Sequence, residues 1–194
     1  AARDTTQLAA NAIAITHAGG RALAAPVDVA DEASVTALFA LASERFGPVE
    51  ILVNAAGAFA RGPVAEMKTA TWDAVLNVNL RGTFLCCREA FRVMPPRGGV
   101  IVNFSSLSGV PKVEKFPGNS AYVTSKFGVA GLSEALALEG KPLNIRVVAV
   151  THASLRRRLA DRLVGDRWRA ERTRRPLHDW STWLLAPPPN TSPR

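Results

Sequence analysis

The chain has 194 residues, 47% hydrophobic and 21% charged, with a formal net charge of +8; this fits one globular domain with a sizeable core and excludes a disordered or collagen-like polypeptide. No run of about 18 apolar residues occurs, so no membrane-spanning helix is expected. The charge is unevenly held: residues 1–150 carry 14 Lys and Arg against 12 Asp and Glu, and residues 151–194 carry 10 against 4, so the net charge of the whole chain is no argument for a nucleic-acid partner.

Along the chain, helix-like and strand-like segments alternate. Residues 5–18 read as a helix that Asp4 or Thr5 can cap, with Leu8, Ala12 and Ile15 on one face and Gly19-Gly20 as its stop. A short strand is predicted at 22–27. An amphipathic helix follows at 31–47, its buried side formed by Val35, Leu38, Phe39, Ala42 and Phe46. "VEILV" at 49–53 is a continuous apolar run of the kind that marks a strand covered on both faces. A long helix is predicted from about Thr69 to Met94, a buried strand at 99–104, a helix from Ser120 to Glu139, and a last buried strand at 145–150. Such alternation predicts a doubly wound parallel α/β sheet, whose ligand site lies outside the carboxyl ends of the strands. "NAAG" at 54–57, "SSLSG" at 105–109 and the residues after Val150 leave those ends.

The two cysteines, Cys86 and Cys87, are adjacent in an apolar helical segment. That spacing suits neither a disulfide nor a metal, and it predicts reduced core thiols in a cytoplasmic protein. His17, His152 and His178 are scattered and suggest no metal.

Tyr122, the only tyrosine, precedes Lys126 by four residues. On a helix the two share a face one turn apart. An ammonium in that position favours the phenolate, and a tyrosine so placed can exchange a proton with an alcohol or carbonyl oxygen. Alone, the pair is a common spacing and reads first as an exposed ring and an exposed amine that share a helix face.

Its context is "VDV" at 27–29, "ILVNAAG" at 51–57, "NVNLRGTF" at 77–84, "IVNFSSLSG" at 101–109, "AYVTSK" at 121–126 and "IRVVAV" at 145–150. Together, and in this order, these resemble the classical short-chain dehydrogenase/reductase family of Rossmann-type, three-layer α/β/α oxidoreductases. The resemblance implies hydride transfer between NADP or NAD and a small-molecule carbonyl or alcohol. Under it, Tyr122 is the general acid/base, Lys126 tunes Tyr122 and binds the nicotinamide ribose, Ser106 holds the substrate oxygen, and Asn79 anchors a water in a proton relay. It further implies that Asp28 and Val29 meet the adenine and that Asn54, Ala55 and Gly57 line the cofactor's path. Arg3 stands where NADP-preferring members place a phosphate-binding arginine, which favours NADP with NAD as the alternative. A homo-oligomer, dimer or tetramer, is implied through helices equivalent to 69–94 and 119–139.

The sequence also departs from the family pattern. The T-G-x-x-x-G-x-G turn, and the strand and helix around it, find no counterpart in it. An incomplete sheet with uncovered apolar faces is therefore expected, together with feeble cofactor binding. The stretch from Ser106 to Tyr122 is longer than the commonest family spacing, which points to a reshaped substrate loop. After Val150 the likeness gives way to an Arg- and Pro-rich segment, residues 151–194, read as a disordered tail or as the product of a shifted reading frame. These departures leave two other functions open: a catalytically silent fragment, or, less favoured, an arginine-rich arm for nucleic acid.

Overall fold

The computed structural model describes residues 1–151. The expectations for the Arg-rich segment, and for the connection that leaves the last strand, lie outside the described residues.

Five helices and three strands alternate. Helix α1 is Thr5–His17; Asp4 caps it by accepting from the backbone N–H of Gln7, and Gly19 follows it with a positive φ. Helix α2, Glu32–Phe46, begins at Asp31, whose carboxylate accepts from the N–H groups of Ala33 and Ser34. Both starts follow from a short acceptor side chain satisfying amides that have no partner within the helix. Strand β1 is Ile51–Asn54, helix α3 Thr69–Leu76 and helix α4 Gly82–Val93; strand β2 is Gly99–Phe104, helix α5 Ser120–Gly140 and strand β3 Ile145–Val150. The strands form one parallel sheet in the order β1-β2-β3, with Leu52 opposite Ile101 and Ile101 opposite Val147. This is a Rossmann-like α/β fold.

Helices α3 and α4 are one continuous rod interrupted by a π-turn at Asn77–Arg81, where the Gly82 N–H reaches back five residues to the Asn77 carbonyl. The extra residue rotates α4 about the rod's axis, and π-turns of this kind concentrate at functional sites.

Because paired residues of a parallel sheet share a face, the strands sort into two sets. Leu52, Ile101, Ile145 and Val147 join the core with Val35 and Phe39 of α2 and with Leu85, Cys86, Cys87 and Ala90 of α4. The other set includes Ile51, Val53, Val148 and Val150, which are exposed, Ile51 at 62%. The expectation that 49–53 and 145–150 are covered on both faces is therefore not met: among the described residues, no layer lies over the face that carries these side chains.

Two further expectations need correction. Residues 22–27 form no strand but a single parallel bridge from Pro26 to Ala2, with the Val27 N–H donating to the Ala2 carbonyl. Only residues 1–3 run beside them, and Pro26 has no N–H to extend the ladder. Phe46 is exposed rather than buried and lies under the Arg21 guanidinium, 5.2 Å from the ring centroid. Ile15 is also exposed, and α1 buries no residue, Leu8 and Ala12 being only half covered.

The cysteines are free and buried, as expected. Burial raises the thiol pKa of Cys86 to about 11 and that of Cys87 to about 12. Thiolate is the reactive form, so at pH 8 both are expected to react with Ellman's reagent at least ~100-fold more slowly in the folded chain than in denaturant. Rapid labelling of two thiols in the native protein would contradict this packing.

Candidate active site

The candidate site sits where β1 and β2 deliver their carboxyl ends to the first half of α5. The 105–109 turn meets α5 closely. Ser105 Oγ donates to the Lys126 carbonyl at 3.0 Å, and a Cβ on Gly109 would stand 2.5 Å from that carbonyl oxygen and 2.8 Å from Ser105 Oγ. Only a glycine lets the turn lie this flat against the helix. The adjacent Ser106 is half-buried, and its Oγ accepts from the Ser108 N–H at 3.1 Å, which leaves its own proton free to donate.

Tyr122 and Lys126 share one face of α5, as their spacing predicts. Lys126 Nζ lies 5.7 Å from the centroid of the Tyr122 ring and donates to the Phe104 carbonyl, the last of β2, at 2.7 Å. The lysine is 6% exposed, and burial lowers its pKa from the ordinary lysine value. Among the described residues, the Tyr122 hydroxyl bonds to no protein group, while the ring packs edge-on against Phe59 at 5.2 Å and 71°.

Asn79, on the π-turn, is 1% exposed and makes three hydrogen bonds. Its Oδ1 accepts from the Ala58 N–H at 2.6 Å, and its Nδ2 donates to the Ala58 carbonyl and to Ser125 Oγ, both at 2.9 Å. Ser125 Oγ in turn donates to the Tyr122 carbonyl at 2.7 Å. The side chain of Asn79 thus clamps the loop after β1 to the helical turn that carries Tyr122. The π-turn that carries Asn79 aims its amide at this loop.

A second polar chain runs beneath the sheet ends. Asn54 Nδ2 donates to Asn103 Oδ1 at 2.9 Å, and Asn103 Nδ2 donates to Ser133 Oγ at 2.9 Å; Cys87 Sγ lies against both asparagines. Asn103 and Ser133 are buried, and the chain ties the ends of β1 and β2 to α5. Sequence reading missed Asn103, Ser125 and Ser133. Asn103 had a signal, since it is the one amide in the apolar run "GVIVNF", and a buried polar residue there requires a partner. Ser125 had only its place between Tyr122 and Lys126.

Beside β1 lies an open cleft of about 600 Å³ whose lining includes Arg3, Asp28, Val29, Asn54, Ala55 and Gly57, with Leu38 and Phe39 among its apolar walls. Its volume suits a cofactor-sized ligand. Asp28 is fixed, Oδ1 accepting from the Ala30 N–H at 3.0 Å and its own N–H donating to Ser34 Oγ at 3.2 Å. Val29 is held from the far side, because a Cβ on Gly82 would strike its side chain at 2.8 Å. The lining does not include Tyr122 or Lys126, and the loop 54–59 leads from one to the other. A dinucleotide fits this set in part. A cation, an acid and backbone amides suit its adenosine end, but no glycine-rich turn exists in the sequence to receive its diphosphate.

The described residues thus place a Tyr–Lys pair at the carboxyl edge of a parallel, Rossmann-like sheet. Residues 1–164 match the family model described as short chain dehydrogenase. The 3beta-hydroxysteroid dehydrogenase of Mediterraneibacter gnavus is 36% identical over 84% of this chain and 59% of its own length. The trans-4-hydroxycyclohexanecarboxylate dehydrogenase of Sinomonas cyclohexanicum is 38% identical over 70% of this chain and 51% of its own. A crystal structure of a short chain dehydrogenase from Mycobacterium smegmatis superposes with a TM-score of 0.73 at 32% identity, covering 77% of this chain and 62% of that one. The chain belongs to the short-chain dehydrogenase family, and it spans between half and three-fifths of the length of these two curated relatives.

Proposed function

We propose that the chain is an NAD(P)-dependent oxidoreductase that interconverts a carbonyl and an alcohol, with Tyr122 as general acid/base. The observation that carries this reading is the setting of Tyr122: a free hydroxyl, a buried lysine ammonium beside its ring, and a helical turn fixed by Ser125 and Asn79. In reduction, the Tyr122 hydroxyl gives its proton to the carbonyl oxygen; NAD(P)H, if held by the cleft residues, would supply the hydride to the carbon. Lys126 stabilises the phenolate left behind, and the Ser106 hydroxyl orients the substrate oxygen. Asn79 acts here by holding loop and helix together through its side chain, a role additional to the water-anchoring one that the family resemblance implies. Arg3 and Asp28 receive the adenosine end, Val29 lies alongside, and Asn54, Ala55 and Gly57 face its path; Arg3 favours NADP over NAD. A second copy of the chain would pack on α4 and α5, where Phe84 and Leu138 are exposed. No described helix is long and apolar enough to cross a membrane, and we place the enzyme in the cytoplasm.

A second reading, in which this chain alone is catalytically silent, is favoured by one observation, the lack of a glycine-rich turn for the diphosphate. Fluorescence titration separates the two. The dissociation constant for NADPH is expected above ~100 μM, about −5 kcal/mol of binding free energy, with turnover seen only near saturation. Micromolar binding would show that the diphosphate has a site not recognised in this sequence. No ketone reduction at millimolar NADPH would leave the silent reading standing.

A further inference from the structure

Phe59 has no role in the proposed proton transfer, yet among the described residues it is the one ring packed against the Tyr122 ring. We propose that Phe59 determines substrate specificity, forming an apolar wall against which the ring of an aryl or alicyclic carbonyl compound lies beside the Tyr122 phenol. The inference rests on Tyr122 being the reacting group.

Phe59 is 60% exposed although it belongs to a loop pinned on both sides. Its neighbour Ala58 has both backbone groups bonded to the buried amide of Asn79, so the Phe59 backbone is fixed before any ligand arrives. Exposed phenylalanines on soluble surfaces are normally dispersed and mobile; here the ring is held edge-on to the only tyrosine, with the rest of its surface open. The Gly62 N–H donates to the Gly118 carbonyl at 3.0 Å, which ties this loop to the 111–119 loop, where a second phenylalanine, Phe116, is also exposed. Two exposed aromatic rings thus stand on two joined loops, and one of them, Phe59, packs against the Tyr122 ring. A small polar substrate would leave that apolar surface in water, whereas a ring on the carbonyl carbon would cover it. Fixing the wall in advance also spares the ligand an ordering cost.

The test uses the full 194-residue chain without cofactor and follows acetophenone and acetone by ligand-observed NMR. The wild-type chain is expected to bind acetophenone at least ~10-fold more tightly than acetone, as burial of an aromatic face predicts. Phe59→Ala should erase most of that preference, while Phe59→Leu, which keeps an apolar wall, should retain most of it. Circular dichroism of both variants checks that the fold is kept. Equal binding of the two ketones by the wild type, or an undiminished preference in Phe59→Ala, would overturn the proposal. Absence of NADPH-dependent turnover bears on the functional reading alone, because this preference is read without cofactor.

Discussion

Replacing Tyr122 by Phe is expected to lower kcat/KM for ketone reduction by about 10³-fold, the scale on which a positioned acid contributes, while leaving the unfolding midpoint within about 0.5 kcal/mol of wild type. The two parts of this expectation have separate causes. The ring of Tyr122 packs edge-on to Phe59 and lies under Lys126, contacts that phenylalanine reproduces. The hydroxyl bonds to no described protein group, so its loss orphans nothing in the fold. In the proposed reaction, however, that hydroxyl gives its proton to the substrate oxygen, and Lys126 Nζ lies 5.7 Å from its ring centroid. Stopped-flow or steady-state reduction of a ketone, run beside chemical denaturation, measures both parts. A fall in activity below about 10-fold would remove Tyr122 from the chemistry. An unstable variant would show instead that the hydroxyl is structural.

The alternation of elements was legible because it rests on local signals. Asp4 and Asp31 cap helices as short acceptors do, and "GVIVNF" begins and ends where its apolar run does. The Tyr122–Lys126 face was legible for the same reason, since helix geometry alone sets it. What failed depended on neighbours. Residues 22–27 have the composition of a strand, but a strand exists only beside another, and residues 1–3 provide a single bridge. Phe46 sits at a helical position that would be buried if something packed there. The apolar runs of β1 and β3 describe a sheet covered on both faces; the described chain covers one. Around the site, Asn79 was chosen by resemblance, yet its three bonds depend on a loop 21 residues away and a helix 46 away. No sequence window contains them.

That arrangement predicts a large and pH-dependent effect for Asn79→Asp. The Ala58 N–H can only donate and the Ala58 carbonyl can only accept, which fixes the amide's oxygen toward the first and its nitrogen toward the second. A carboxylate has no hydrogen to offer the carbonyl, and its second oxygen would face another acceptor in a site that is 1% exposed. Burial and the facing carbonyl both disfavour the ionised form, so the introduced carboxyl would titrate in the folded chain above the ~3.9 of an unfolded aspartate. A group raised in this way leaves stability intact below its unfolded value and costs progressively more as pH rises through its folded value. At pH 7 the variant should be ~3 kcal/mol less stable than wild type, combining an unmade bond with a buried charge. Near pH 4.5 the gap should shrink, because a protonated carboxyl can again donate to Ala58. Asn79→Ala supplies the contrast: it loses the same bonds without adding a charge, so its deficit of ~2 kcal/mol should not vary with pH. Urea unfolding of the three chains at pH 7 and 4.5 gives both comparisons directly. Parallel behaviour of the two variants would mean that Asn79 does not clamp Ala58, and that the link from the cleft loop to Tyr122 runs elsewhere.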